Sequence, residues 1–310
     1  MMSGKSYIAT LVLLCLSMVA HAQPGPLAIK AAKLADSGDL IGAENVIEKA
    51  LSTEEADDAW TWYVKGFIHK EIFVEIDKGN INSKHREVAV EAIIEAKALD
   101  KSNIYDKDIF NALEFLAKTY FNHAVDQHQT LDPEMMAESE AYYTEFRETY
   151  ELADPMKSLI SYSIDYYNGL AKSYEKVYKM HSQDGQYIDL SIRYYKMAME
   201  FSPENYHANY NTAINYYNQA VNRIKQIDHQ TEILELLLIQ EECLILFKQS
   251  LPYMLKAHKQ KPKRKETLKG LMAIYRAMNE YEKSDGYKDA LADLIRSGGV
   301  HPDSPDKKRN

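Results

Sequence analysis

One stretch of the sequence, residues 187–220, limits the fold more than any other. It reads as a helix, a turn that contains Pro203, and a second helix. In the first helix Ser191, Tyr195 and Ala198 are separated by four and then three positions. A small residue at a crossing lets two helix axes approach to about 8–10 Å, and a large residue one turn away fills the gap beside it. This spacing therefore predicts a pair of closely packed helices.

The same spacing recurs along the chain, with small residues around a larger one: Ala43, Ile47 and Ala50; Ala89, Ile93 and Ala96; Ser250, Met254 and Ala257. This pattern resembles the tetratricopeptide repeat (TPR), a helical hairpin of about 34 residues. The resemblance covers nearly all of residues 23–298 and gives about six hairpins, which begin near residues 27, 58, 105, 156, 206 and 265. It implies an all-α fold, an α-solenoid of stacked hairpins that follows a right-handed superhelix. It also implies a concave face lined by the first helix of each hairpin.

Both ends of the chain differ from this repeat region. Residues 1–22 have a short positive start at Lys5, an apolar run and the small residues Ala20 and Ala22 before a cleavage point, which is typical of a cleavable export signal. Leu14 precedes Cys15 where a lipid-anchored protein needs a small residue, so no lipid anchor is expected. The Pro-rich, charged tail at 299–310 predicts disorder. We therefore expect an exported protein of a Gram-negative-type bacterium, either periplasmic or secreted.

Charge and cysteine content narrow the partners. Without residues 1–22 the chain keeps 36 basic and 46 acidic residues, a net charge of −10, which argues against nucleic acid as the main partner. The repeat region has a single cysteine, Cys243, so it forms no internal disulfide. Cys243 lies in an apolar helical segment, where we expect it to be a buried small hydrophobe.

A search for catalytic motifs finds none. The sequence has no H-E-x-x-H, C-x-x-C or G-x-S-x-G motif and no Gly-rich phosphate loop. His123 and His128 are five residues apart, a rotation of about 140° on a helix, so they do not share a face. The sequence therefore predicts a non-enzymatic protein with no catalytic residues, no metal ligands and no cofactor.

What is left is a binding surface. The positions that face inward in the family, located from the small crossing residue of each repeat, combine aromatic rings with amides and cations. Such a set can hold a peptide backbone and an acidic group. The predicted partner-binding residues, called the predicted face below, are Tyr63, Phe67, Lys118, Phe121, Asn122, Asn168, Lys172, Lys176, Tyr210, Ile214, Tyr217, Asn218, Lys269 and Arg276.

The leading hypothesis is thus an exported TPR scaffold that binds a protein or peptide in envelope assembly, secretion or a surface complex. A second is a small-ligand or glycan-binding helical-repeat module, although Trp60 and Trp62 are the only tryptophans. A third is an enzyme with its functional residues in the irregular loops at 77–86, 128–134 and 181–187, where the repeat pattern breaks. The Leu-rich helix at 233–247 becomes a second candidate interface if one side of it is exposed.

Overall fold

The computed structural model describes residues 24–181 and 185–298, and the predicted leader and tail lie outside them. The described chain is all-α, with no strand and twelve α-helices: α1 (Pro26–Asp36), α2 (Leu40–Ala50), α3 (Ala59–Glu71), α4 (Lys84–Leu99), α5 (Asp106–Gln129), α6 (Pro133–Ala153), α7 (Ile160–Met180), α8 (Gly185–Phe201), α9 (Tyr206–Lys225), α10 (Ile233–Gln260), α11 (Lys265–Ala277) and α12 (Tyr281–Arg296). A π-helical turn, Ile72–Ile76, extends α3. None of the described helices is both long and apolar enough to span a bilayer.

Consecutive helices pack in pairs. The pairs are α1 with α2, α3 with α4, α7 with α8, α9 with α10, and α11 with α12. Between α5 and α6, Phe121 packs on Phe146 with ring centroids 5.0 Å apart. The prediction of an all-α chain of about six helical hairpins is therefore confirmed. Its right-handed superhelical path stays a prediction.

The hairpins fall into two compact units. Unit 1 contains residues 24–124 and Ser139–Lys157, and unit 2 contains Val125–Glu138 and residues 158–298 of the described chain. Helices α5 and α6 each contribute one part to unit 1 and another to unit 2. Each unit has its own apolar core, built in unit 1 around residues such as Ile47, Ile68 and Ile93 and in unit 2 around Leu271 and Phe247.

Small residues set the distance between the two helices of a hairpin. A Cβ atom added to Gly66 of α3 would lie 2.5 Å from Ile93 Cδ1 and 3.2 Å from the backbone oxygen of Ala89, both on α4. Those distances are shorter than van der Waals contact, so only glycine allows this crossing without movement of its neighbours. Glycine at this position is therefore a requirement of the hairpin.

Polar small residues at the crossings also form hydrogen bonds to the partner helix. The Ser250 hydroxyl on α10 donates to the Ala213 carbonyl on α9 at 2.7 Å, and the Ser284 hydroxyl on α12 donates to the Met272 carbonyl at 2.9 Å. A hydroxyl at a crossing thus fits the space and donates its hydrogen bond to the backbone of the facing helix.

Cys243 is 3% exposed, which confirms the predicted burial, and burial raises the pKa of its thiol.

A buried arginine joins two hairpins of unit 1. Arg86 of α4 is 2% exposed, and its guanidinium carbon lies 3.8 Å from the ring centroid of Tyr120 on α5. Phe73 and Tyr142 face the same group at 5.5 and 5.8 Å. It donates to the ring Nδ1 of His123 at 2.6 Å, whereas no carboxylate in the described chain forms an ion pair with it. Aromatic faces stabilise this buried cation in place of an acid.

Two Gly→Ala variants test the crossing. We expect Gly66→Ala to lower the free energy of unfolding by about 1–3 kcal/mol, because Ile93 and the α4 backbone must move to admit the methyl group. Gly286→Ala on α12 is the matched control, since its Cβ would meet open space. There we expect a gain of about 0.5–1 kcal/mol from helix propensity. Urea denaturation measures both, and a Gly66→Ala protein as stable as the wild type would contradict the close crossing.

Candidate functional site

A groove lies between α9 and α11 in unit 2, with a volume of about 280 Å³. Its floor includes Met254 of α10, which is fully buried. The α9 wall is apolar or aromatic and consists of Tyr210, Ile214 and Tyr217. The α11 wall opposite consists of two small residues, Gly270 and Ala273, and of Ile274. Since α11 contributes a glycine and an alanine opposite the tyrosine rings, the two helices leave space between them.

Polar groups stand at the edges of this groove. Asn218 on α9 and Glu266 and Lys269 on α11 complete its lining. Burial, and after it the charge of Glu266, raises the pKa of Tyr210, and burial raises the pKa of Tyr217. Both phenols therefore keep their protons at neutral pH and can donate hydrogen bonds. The groove offers an apolar slot beside an amide, a cation and an anion.

Five residues of the predicted face meet here. Tyr210, Ile214, Tyr217, Asn218 and Lys269 all line the groove, although α9 and α11 are separated in the sequence by the whole of α10. The four residues of this set on α9 lie on one side of that helix, because the small crossing residue Ala213 fixes which side of α9 meets α10. Arg276, the other residue of the predicted face on α11, is exposed and does not line the groove.

The α7 part of the predicted face has a different environment. Lys172 forms an ion pair with Glu175 at 2.9 Å, and this carboxylate is buried and also accepts a hydrogen bond from the Tyr195 hydroxyl at 3.1 Å. Lys172 thereby neutralises a buried acid within its own helix. Lys176 is exposed, while Asn168 is half-buried and its Oδ1 has no hydrogen-bond partner in the described chain.

Two predicted residues of α3 pack within unit 1. Tyr63 is 7% exposed, and its ring lies 5.6 Å from Trp60 and 6.4 Å from Tyr105, so in this structure it belongs to the core. Phe67 is half-buried beneath the ammonium group of Lys70, which lies 4.8 Å from its ring centroid. Aromatic spacing alone does not distinguish a core tyrosine from a surface one, because both recur at helical intervals.

Three predicted residues of α5 complete the unit 1 set. Lys118 is exposed and forms an ion pair with Glu114, one turn before it, at 3.0 Å. Phe121 is half-buried against Phe146. Asn122 is exposed. Within unit 1 the predicted face is therefore a mixture of packing residues and solvated polar groups.

The sequence reasoning missed one cluster of titratable side chains. His69 of α3, His85 of α4 and Glu44 of α2 meet in unit 1. Burial, followed by the charges of His85 and Lys65, lowers the pKa of His69 to about 4, so its ring is neutral at pH 7. The two histidines are sixteen residues apart and on different helices, so a search for spacing within one helix could not find them. The pairing of α3 with α4 is the signal that brings them together.

Comparisons with known proteins give only distant likenesses. No family model matches the chain, and no curated protein matches it. Among solved structures, a monomeric mutant of IFIT1 with Gppp-AAAA is 14% identical and has a TM-score of 0.35. The match covers 86% of this chain and 49% of the IFIT1 chain. This chain thus spans about half the length of IFIT1. Two structures of the nuclear import adaptor Nro1, one given as from S. pombe, are 12% and 13% identical with TM-scores of 0.33 and 0.34. They cover 89% of this chain, and 94% and 89% of their own. Likenesses this weak carry no argument about function.

A buried histidine makes unit 2 sensitive to acid. His128 is 4% exposed, its ring packs edge-on against Tyr166, and neither ring nitrogen has a hydrogen-bond partner in the described chain. Burial, and after it the charge of Lys176, lowers its pKa to about 4. The unfolded chain has the ordinary pKa of about 6.5 and binds a proton first as the pH falls. The contribution of the neutral His128 ring to the unfolding free energy is therefore fully present above pH 6.5, and it is lost as the pH falls towards 4.

We expect His128→Phe to reduce this acid sensitivity. Between pH 7.5 and pH 5 the wild type should lose about 2 kcal/mol of unfolding free energy more than the variant, because only the wild type must bury the proton-binding ring. Urea denaturation at both pH values measures the difference. His229→Gln is the control, since His229 is exposed. Equal pH dependence in the wild type and His128→Phe would contradict the lowered pKa.

Proposed function

We propose that this protein is a non-enzymatic scaffold of the tetratricopeptide type that binds an extended segment of another protein in the α9–α11 groove. The single observation that carries the proposal is that four polar and aromatic residues of the predicted face, Tyr210, Tyr217, Asn218 and Lys269, meet in one groove. Binding sites in proteins are mostly apolar clefts with a few convergent polar groups, and this groove has that composition.

The size of the groove favours a peptide side chain as its occupant. A volume of about 280 Å³ lies below or at the lower limit of pockets for whole small molecules. It suits one or two apolar side chains, with the tyrosine rings as anchors that lose little conformational entropy on binding. Asn218 can donate to and accept from the backbone of the bound segment, and Lys269 can pair with a carboxylate.

The alternative of a glycan-binding module receives less support from this site. Trp60 and Trp62 both lie in unit 1, and neither lines the groove. A sugar would have to stack on the tyrosine rings, which already contact other rings: Tyr210 stacks on Tyr206 at 5.8 Å, and Tyr217 packs on Phe247 at 5.3 Å. The peptide proposal uses the same rings as side-chain anchors and therefore needs less of their surface.

The cellular setting is the other part of the proposal. The sequence of residues 1–22 and the net charge of −10 for the rest support an exported, periplasmic or secreted protein that binds protein and not nucleic acid. Envelope assembly, secretion and a surface complex are the roles in which such a scaffold would serve. No covalent chemistry is required of it.

A displayed library of random peptides, selected on the full-length protein, tests the groove. Ala273 lines it, so Ala273→Trp should fill it, whereas Ala292→Trp makes the same change on an exposed position of α12. We expect selected peptides to bind the wild type and the Ala292→Trp control alike and to lose at least about tenfold in affinity for Ala273→Trp, because the indole excludes their anchor side chain.

Fluorescence anisotropy with each selected peptide gives the dissociation constants, and circular dichroism confirms that both tryptophan variants keep their helicity. Peptides that bind Ala273→Trp as tightly as the wild type would place the binding surface elsewhere. A library that yields no binder, alongside a glycan array that does, would replace the peptide proposal with the glycan-binding one.

A further inference from the structure

Three metal-binding side chains meet in unit 1 although they come from three different helices. Glu44 lies on α2, His69 on α3, and His85 at the start of α4. His69 Nδ1 lies 2.9 Å from His85 Nδ1, and Glu44 Oε1 lies 3.9 Å from each of these two nitrogens. We propose that this cluster is a Zn²⁺ site with two imidazole ligands and one carboxylate ligand, called the zinc site below.

The three donor atoms are spaced as a zinc ion requires. A circle through three points separated by 2.9, 3.9 and 3.9 Å has a radius of about 2.1 Å, and Zn–N and Zn–O bonds are about 2.0–2.2 Å long. An ion at the centre of that circle is therefore within bonding distance of all three atoms at once. Only a small opening of the imidazole pair is needed for the ion to reach a tetrahedral arrangement.

A second carboxylate stands behind the buried ligand. The other ring nitrogen of His69, Nε2, is buried, has no hydrogen-bond partner in the described chain, and lies 3.9 Å from Glu48 Oε1. Glu48 is in turn held by Lys65 at 2.9 Å. Histidines that bind metal usually donate their second N–H to a carboxylate, which orients the ring and strengthens the ligand. His69 is placed to make that contact when its Nδ1 binds zinc.

Proton balance allows both rings to bind through Nδ1. In the hydrogen bond between the two Nδ1 atoms one ring donates and the other accepts, so one ring carries its proton on Nδ1. Zinc binding moves that proton to Nε2 of the same ring and leaves both imidazoles neutral, with a lone pair on each ligating nitrogen. No oxidation or reduction takes place.

The site is accessible from one side. The His69 side chain is 6% exposed, whereas those of Glu44 and His85 are 29% and 31% exposed. Sets of two histidines and a glutamate leave a fourth position of zinc for water or another ligand, and solvent can reach that position here. Bound zinc would also link α2 of the first hairpin to α3 and α4 of the second, so it should stabilise unit 1 against unfolding.

Titration of the full-length, metal-free protein with Zn²⁺ alone tests the proposal. We expect one equivalent to bind and to raise the thermal unfolding midpoint. His85→Gln and Glu44→Gln should each weaken binding by at least about tenfold, since each removes one of three ligands, while Glu48→Gln should weaken it by about tenfold through His69. The control is His229→Gln, which removes an exposed histidine and should change nothing.

Isothermal titration calorimetry gives stoichiometry and affinity, and the visible absorption of Co²⁺ in place of zinc reports a tetrahedral site. Wild-type protein that binds no stoichiometric zinc overturns the proposal, because the histidine pair is then only a hydrogen bond within the hairpin. Binding that survives both His85→Gln and Glu44→Gln overturns it as well, because the ion then sits elsewhere. Circular dichroism of the metal-free variants separates lost ligation from lost folding.

A separate observation concerns the outer side of α10. Its inner side is buried through Cys243, Phe247 and Met254, yet the opposite side is also apolar. The exposed apolar residues there are Leu234, Leu237, Leu238, Leu244, Ile245 and Leu255, and Leu234 is 68% exposed. The Leu-rich helix is a second candidate interface if one of its sides is exposed, and one side is exposed. We call this exposed side the α10 stripe. A helix that is apolar all round is normally buried on all sides, so we expect the α10 stripe to be buried against another surface.

The two charged residues within the stripe identify that surface. Glu241 and Lys248 lie between its apolar ends, both are exposed, and neither forms an ion pair in the described chain. Leu234, Glu241, Lys248 and Leu255 follow one another at steps of seven residues. When a second copy of this series runs in the opposite direction, each leucine meets a leucine and each glutamate meets a lysine. We infer that the α10 stripe pairs with the same stripe of a second copy in an antiparallel dimer.

In that dimer a twofold axis passes between residues 244 and 245. Glu241 then faces the partner's Lys248, Leu234 faces the partner's Leu255, and each contact occurs twice, as a twofold interface requires. A parallel pair would instead place Glu241 against Glu241, which is repulsive. A membrane surface is a poorer cover, because interfacial helices carry basic polar faces and this one carries Glu235, Glu241 and Glu242.

Charge exchange tests the dimer and its orientation together. Sedimentation equilibrium of the full-length protein should give a dimer with a micromolar dissociation constant, since one helix pair of about 33 Å is a small interface. Glu241→Lys and Lys248→Glu alone should each raise that constant at least about tenfold by placing like charges opposite each other. The double variant should restore it, because the pairs re-form with their signs reversed.

A monomeric wild type at about 100 μM, far above the expected dissociation constant, would overturn the dimer, and flotation with anionic vesicles would then identify a membrane as the cover. A dimer unaffected by both single variants would overturn this stripe as its interface. A double variant no better than the singles would overturn the antiparallel arrangement. Leu238→Asp, in the middle of the apolar part, should give a folded monomer.

Discussion

The close approach of two helices at a small residue is the constraint on which the rest of this structure depends. It holds α3 against α4 at Gly66, where even a methyl group meets Ile93. On α9 the crossing at Ala213 accepts a hydrogen bond from Ser250 of the facing helix. Each crossing fixes the rotation of both helices about their axes, so it also decides which side chains face the partner and which face outward. The groove between α9 and α11 and the α10 stripe both follow from the rotation set at Ala213.

This explains what could be predicted from the sequence and what could not. The sequence displays the spacing within a single helix directly. That spacing is enough to predict the number of hairpins, the small crossing residues and the positions Tyr210, Tyr217, Asn218 and Lys269. The core position of Tyr63 and the ion pair of Lys172 depend on neighbours that spacing does not identify. Contacts between helices, such as that of His69 with His85, require the register of one helix against another, and no local pattern encodes it.

The proposed peptide groove and the proposed zinc site belong to different units, which separates their chemistry. The groove of unit 2 is apolar with a few polar edges, so its affinity for a partner would come from burial of side chains. The zinc site of unit 1 is polar and strongly directional, so its selectivity would come from ligand type and distance. Neither needs a reactive nucleophile, and both are compatible with a protein whose role is to hold other molecules in place.

The buried cation of Arg86 has a consequence for how unit 1 folds. A guanidinium cannot release its proton to escape burial, so every wall of its aromatic surroundings must be present before the water around it is removed. Phe73 follows α3, Tyr120 lies on α5 and Tyr142 on α6, so those walls come from two successive hairpins. Stacked repeats commonly fold as a chain of nearly independent neighbours. Here the second and third hairpins share one buried charge, so we expect them to fold together as one cooperative unit.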